Sequence, residues 1–94
     1  MALVADVIIK LRVMPVSPES DLAKIEQFCR EKIAAAGGKL HSIVPEEMAF
    51  GLKSLTFTFF GDEKTLNPDK IEEAIKTDKH VSSTEVVDVR RALG

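Results

Sequence analysis

The apolar residues of this chain recur first with the period of a strand, then of a helix, then of two strands, a helix and a strand, and that order admits few folds. Val7, Ile9, Leu11 and Val13 alternate with Asp6, Ile8, Lys10 and Arg12, so one face of the first segment is apolar and the other mainly polar, as in a half-buried strand. Pro15 and Pro18 are expected to stop it. Ser17-Pro18-Glu19-Ser20-Asp21 then offers two candidate N-caps with carboxylates near the positive end of a helix. Leu22, Ile25, Cys29 and Ile33 recur at helical spacing, Phe28 widens their stripe, and Gly37-Gly38 is expected to end the helix after about Ala36.

Residues 40–44 read as a short strand, and residues 52–60 as a stronger one with Leu55, Phe57 and Phe59 on one face against Thr56 and Thr58. The two should pair as an antiparallel hairpin. Gly61-Asp62-Glu63-Lys64 reads as a polar loop. Asn67 caps a second helix with Pro68 in its first position, Leu66 and Ile71 are spaced as a hydrophobic staple, and Ile71, Ala74 and Ile75 form its stripe to about Thr77. In the last strand, residues 83–90, Thr84 and Val86 share one phase and Val87 and Val89 the other, which a bulge near Val86-Val87 reconciles. The expected fold is α+β: a split β-α-β-β-α-β unit whose right-handed crossovers put both helices on one face of a four-stranded antiparallel sheet.

A chain of 94 residues has room for one domain, residues 1–94, and for no deep enclosed active-site cavity. Thirteen Lys and Arg against fifteen Asp and Glu give a net charge of −2, so no overall positive field draws it to nucleic acid. Cys29 stands alone, which excludes an intramolecular disulfide and fits a reducing compartment. No apolar stretch approaches the ~20 residues that span a bilayer, and Met1-Ala2-Leu3 lacks the basic start of a signal peptide; the cytoplasm is the expected location, with no membrane partner.

The chain has no G-x-x-x-x-G-K-S/T loop, no H-E-x-x-H and no G-x-S-x-G, so the machinery of nucleotide, zinc-dependent or serine-dependent hydrolysis is missing, and no catalytic residue, metal or cofactor is expected. His41 and His80 each lack a second ligand at metal spacing. Cys29, on a buried stripe, should behave as a small hydrophobe with a raised pKa. Glu46-Glu47 and Asp62-Glu63 read as solvated turn carboxylates. RNA-recognition modules share this element order, but the third strand lacks their basic-plus-aromatic platform, and Phe57 and Phe59 fall in the core phase. Met48-Ala49-Phe50-Gly51-Leu52-Lys53-Ser54-Leu55 is the most suggestive run: a glycine free to take φ > 0 can push the neighbouring Phe50 outward as a recognition residue, although local pattern alone favours a Phe50 that caps the core. Near the C-terminus, Arg90-Arg91 follows the last apolar residues of the strand, as a solvated end or a second cationic recognition element.

Three segments in order resemble the translation elongation factor 1-beta family in its short archaeal form: Lys10-Leu11-Arg12-Val13-Met14-Pro15 with Ser17-Pro18-Glu19, then Ala49-Phe50-Gly51-Leu52-Lys53-Ser54-Leu55, then His80-Val81-Ser82-Ser83-Thr84 with Asp88-Val89-Arg90-Arg91. The likeness spans nearly the whole chain. It implies a ferredoxin-like domain that binds the nucleotide domain and second domain of the GTPase elongation factor 1-alpha, GDP-bound and nucleotide-free, and releases its GDP. It further implies a partner-binding set of Phe50, Gly51, Lys53, His80, Arg90 and Arg91, lying at one docking end of the sheet. In such relatives a lysine near the C-terminus reaches the magnesium and phosphate region; Arg91 stands at that position here. The competing expectation is a small-ligand-binding regulatory domain that dimerises through its sheet.

Overall fold

The structure is a computed structural model that describes residues 6–92, without the side chains of Phe50 and Ala92. The opening Met1-Ala2-Leu3 and the closing Leu93-Gly94 lie outside the described residues. In chain order the elements are β1 (Asp6–Pro15), α1 (Leu22–Ala35), β2 (Lys39–Glu47), a 3-10 turn (Ala49–Gly51), β3 (Lys53–Asp62), α2 (Pro68–Lys76) and β4 (Val81–Ala92). The strands form one sheet in the order β2-β3-β1-β4, and every neighbouring pair is antiparallel. This is the ferredoxin-like α+β arrangement expected from the sequence.

The two central strands carry the deepest residues. Ile9, Leu11 and Val13 of β1 and Leu55, Phe57 and Phe59 of β3 fall on the same side of the sheet and are buried, and Ile25, Cys29 and Ile33 of α1 and Ile71 and Ile75 of α2 join them in one core. Both helices therefore cover one face and leave the other without a layer. Asp21 Oδ1 accepts from Ala23 N and Lys24 N at the start of α1, and Asn67 Oδ1 accepts from Asp69 N and Lys70 N at the start of α2. Leu66 and Ile71 are buried together as the staple requires. Gly37, at φ 88°, ends α1 in the left-handed conformation that favours glycine.

The bulge expected in β4 is present: Lys10 pairs with Asp88 and Leu11 with Val86, which leaves Val87 as the extra residue. Several boundaries run further than the sequence suggested. β1 continues through Pro15, which lies opposite Val81, and β4 extends at both ends. β2 runs through Pro45 to Glu47 because it is an edge strand, where a missing N–H need not break a ladder. Glu46 and Glu47 are thus strand residues opposite Ser54 and Lys53 rather than solvated turn carboxylates. Gly61 and Asp62 likewise belong to β3, opposite Val7 and Asp6.

Candidate partner-binding site

The sequence-predicted residues fall into two groups at opposite ends of the sheet. At the first end, Glu47 and Lys53 form the last pair of the β2–β3 hairpin, and five residues, 48–52, close it. Met48 N donates to Leu52 O at 2.6 Å and Leu52 N to Ala49 O at 3.3 Å, so the connection is pinned by its own backbone. Within it Gly51 has φ 76°, and a Cβ there would meet nothing within 4 Å. The glycine is required by conformation and not by space. That geometry matches the positive φ expected beside Phe50, whose side chain lies outside the described residues.

His80 belongs to the same end. Its N–H donates to Asp78 Oδ1 at 2.9 Å, and its carbonyl accepts from Val16 N at 3.0 Å, which ties the turn before β4 to the chain leaving β1. Val81 pairs with Pro15, and the Val13–Leu55 register continued by two residues sets Lys53 level with Pro15 on its other side, two strand spacings or about 10 Å from Val81. Phe50, Gly51, Lys53 and His80 therefore lie along one rim.

Arg90 and Arg91 do not. They lie opposite Ile8 and Val7, at the far end of β1. At about 3.3 Å per residue, the eight steps from Val7 to Pro15 put roughly 25 Å between the two groups. The expectation of one docking end carrying both is corrected by topology: β2 runs in the direction of β1 and delivers its turn at the Pro15 end, while β4 runs against β1 and finishes at the Asp6 end.

Both arginines are held by carboxylates of this chain. Arg90 Nε donates to Asp88 Oδ2 at 2.8 Å, and Arg91 Nε lies 2.8 Å from Glu63 Oε2. The side chains of Arg90 and Arg91 are nonetheless 77% and 70% exposed, so a partner can reach each of them. Glu63, read from sequence as a solvated turn carboxylate, is one half of this second pair. The signal for it was the strand order, since the end of β3 and the end of β4 both flank the start of β1.

The helix-free face carries a polar rung that the sequence reading missed. Arg12 of β1 lies 3.7 Å from Glu85 of β4 through Nη1 and 4.0 Å from Glu46 of β2 through Nη2. Thr56 of β3 donates to Glu46 at 3.4 Å, so all four strands contribute. Among the described residues, Arg12 Nε and the hydroxyl of the fully buried Ser54 have no hydrogen-bond partner. The phase of Arg12 among the polar residues of β1 placed it on this face, but not its neighbours. Beside the rung, Asp6, Ile8, His41, Thr58 and Phe60 line a shallow depression of about 200 Å³. Small-molecule sites usually occupy ~300–1,000 Å³, and this depression is smaller than that. Phe57 and Phe59 are fully buried beneath the helices and cannot stack on bases. Burial, with the negative charge of Asp78 adding to it, pushes the Cys29 thiol up to about 12, which leaves it an unreactive core group.

Residues 8–92 match the family model described as the EF-1 guanine nucleotide exchange domain. The chain is 37% identical over 87 residues to elongation factor 1-beta of Methanosarcina barkeri, covering 92% of this chain and 97% of that protein. It is 35% identical over 88 residues to elongation factor 1-beta of Methanothermobacter thermautotrophicus, covering 94% and 98%, and 34% identical over 85 residues to that of Methanococcus vannielii, covering 90% and 96%. With near full-length coverage on both sides, and with the strand order and hairpin turn described above, this chain belongs to the family of EF-1 guanine nucleotide exchange domains, the elongation factor 1-beta proteins.

Proposed function

We propose that this chain, acting over 1–94 as one exchange domain, promotes GDP release and GTP reloading on elongation factor 1-alpha during protein synthesis in the cytoplasm. The observation that carries this reading is the family match across residues 8–92. The chain works by binding and performs no covalent step; it uses no cofactor and no metal of its own, and neither nucleic acid nor a membrane is its target. Among the described residues no helix is long and apolar enough to cross a bilayer.

Exchange follows from linkage. A GTPase holds GDP through its phosphate loop and Mg²⁺, and a partner that prefers the nucleotide-free shape must weaken GDP binding by the same factor as GDP weakens the partner's. A thousandfold faster release needs about 4 kcal/mol of differential stabilisation if all of it appears in the barrier. An aromatic anchor and one or two well-placed cations can supply that much. The separation of the two residue groups supports a division of labour across the two domains of the GTPase. Phe50, Gly51, Lys53 and His80 grip the second domain, while Arg90 and Arg91 face the nucleotide domain, where Arg91 competes with Mg²⁺ for the phosphate region.

The test is release of a fluorescent GDP analogue from the cognate elongation factor 1-alpha, in Mg²⁺ and excess unlabelled GDP, with and without this chain. A large, saturable acceleration is expected. No acceleration of an active GTPase would overturn the proposal.

A further inference from the structure

Glu63 is held in place more firmly than a loop carboxylate needs to be. Asp62 O accepts from Thr65 N at 3.1 Å and from Leu66 N at 2.8 Å, and Asp62 Oδ1 accepts from Lys64 N at 2.9 Å. Leu66, the residue that closes this turn, is anchored in the core. Glu63 follows directly on Asp62, so its backbone is fixed from both sides. Its side chain is only 30% exposed because it lies against β4, with Oε2 2.8 Å from Arg91 Nε. Arg91 sits opposite Val7, whose side chain is buried on the helix-covered face, so the pair draws the guanidinium towards the helix side of the sheet.

We infer that Glu63 is a gate on Arg91: an intramolecular carboxylate that holds the Nε edge of the guanidinium in the free protein and is displaced when Arg91 turns that edge to an anionic group of the partner. This rests on the proposed role of Arg91. An exposed ion pair is weak, so a concentrated array of phosphate and carboxylate oxygens displaces Glu63 readily, whereas a single dilute anion competes poorly. The fraction of the free protein that can present the Nε edge to a partner is the fraction with Arg91 released, and the affinity gained through that edge falls in proportion to it. Glu63 thus trades some affinity for selectivity towards a partner with a strong local negative field. Arg90 is bonded to Asp88 on its own strand, and among the described residues no carboxylate from a separate element pairs with it.

The experiment compares GDP-analogue release by the wild-type chain, Glu63→Gln, Arg91→Ala and the double variant, each at limiting concentration and at low and high salt. At low salt Glu63→Gln is expected to raise kcat/KM about two- to fivefold, the range that an exposed pair can hold back. The gain should vanish in the Arg91→Ala background, which separates release of the arginine from a general change in net charge, and it should shrink at high salt as the pair is screened. Unchanged or slower exchange by Glu63→Gln, or an equal gain without Arg91, would overturn the gate while leaving the exchange function intact. If Arg91→Ala alone exchanges like the wild type, the role of Arg91 fails first and the gate falls with it. The Arg91 Nε–H resonance gives a readout without the GTPase: it should exchange with solvent faster in Glu63→Gln, and an unchanged rate would show that the pair does not hold.

Discussion

The two ends of this sheet are built on opposite principles. At the hairpin end, the shape of the chain is fixed by its backbone: two hydrogen bonds close residues 48–52 and Gly51 supplies a positive φ. At the far end, the groups proposed to act are long cationic side chains, mostly exposed and tied to carboxylates at 2.8 Å. The first end offers a backbone that is already ordered, so binding through it loses little main-chain conformational entropy. The second offers charge that must be exchanged from one carboxylate partner to another. A protein that has to grip a GTPase and also disturb its nucleotide site benefits from both, because a firm anchor raises the local concentration of a labile cation at the place where it acts.

The sharpest test of this contrast sets Phe50→Ala beside Arg91→Ala. Removing an aromatic anchor should raise the half-saturating concentration for exchange by about 30-fold or more, with little effect on the maximal rate and little dependence on salt. Removing the cation should lower the maximal rate by about tenfold to a hundredfold, with an effect that weakens as salt rises. Saturation curves for both variants at two ionic strengths separate the roles. If both shift the same parameter with the same salt dependence, the division between anchor and cation is wrong.

Gly51→Ala probes the backbone side of the comparison with a smaller effect. Space is open around the missing Cβ, so the cost is conformational: about 1 kcal/mol for a non-glycine residue at φ 76°. Thermal unfolding should show a fall in Tm of roughly 4–8 °C. Exchange at limiting concentration should fall as well, because the turn that presents Phe50 relaxes to another conformation. A stable variant with wild-type exchange would mean that the positive φ is incidental to recognition.

Much of this architecture was legible in the sequence because it rests on local pattern. Alternation gave β1 and β3, the helical spacing of Ile25, Cys29 and Ile33 gave α1, and the clash of phases between Val86 and Val87 gave the bulge. The extent of β2 was not legible: Pro45 and the pair Glu46-Glu47 have the local chemistry of a loop, and only their place on a sheet edge makes them strand residues. The separation of Phe50 from Arg91 was implicit in the strand order, yet the resemblance drew both to one end because both concern the same partner. The pairing of Glu63 with Arg91 depends on register between distant segments, which composition and spacing do not encode.

The core between the two ends provides the control with the smallest expected effect. Cys29 is fully buried in α1, midway in the packing, and its thiol is shifted from an ordinary 9.0 up to about 12 by burial first and by Asp78 second. Only the thiolate attacks a thiol reagent, so at pH 8 native Cys29 should label no faster than the core opens. The same shift fixes a sign for stability. A thiol whose folded-state pKa is raised contributes in full below pH 9, where both states are protonated. Above it the unfolded chain releases the proton first, so stability falls by at most about 1.4 kcal/mol per pH unit until the folded-state pKa is passed. Chemical denaturation at pH 8 and pH 10 checks the direction. Applied to Arg91→Ala, the labelling rate at pH 8 should equal that of the wild type, because the exposed Arg91 side chain lies outside the core that encloses Cys29; for Phe50→Ala the same rate is what a recognition residue outside that core predicts. Equal rates would assign the kinetic losses to the two ends themselves, whereas faster labelling in either variant would show that a surface change had loosened the scaffold and that the contrast between anchor and cation was being read through a partly opened core.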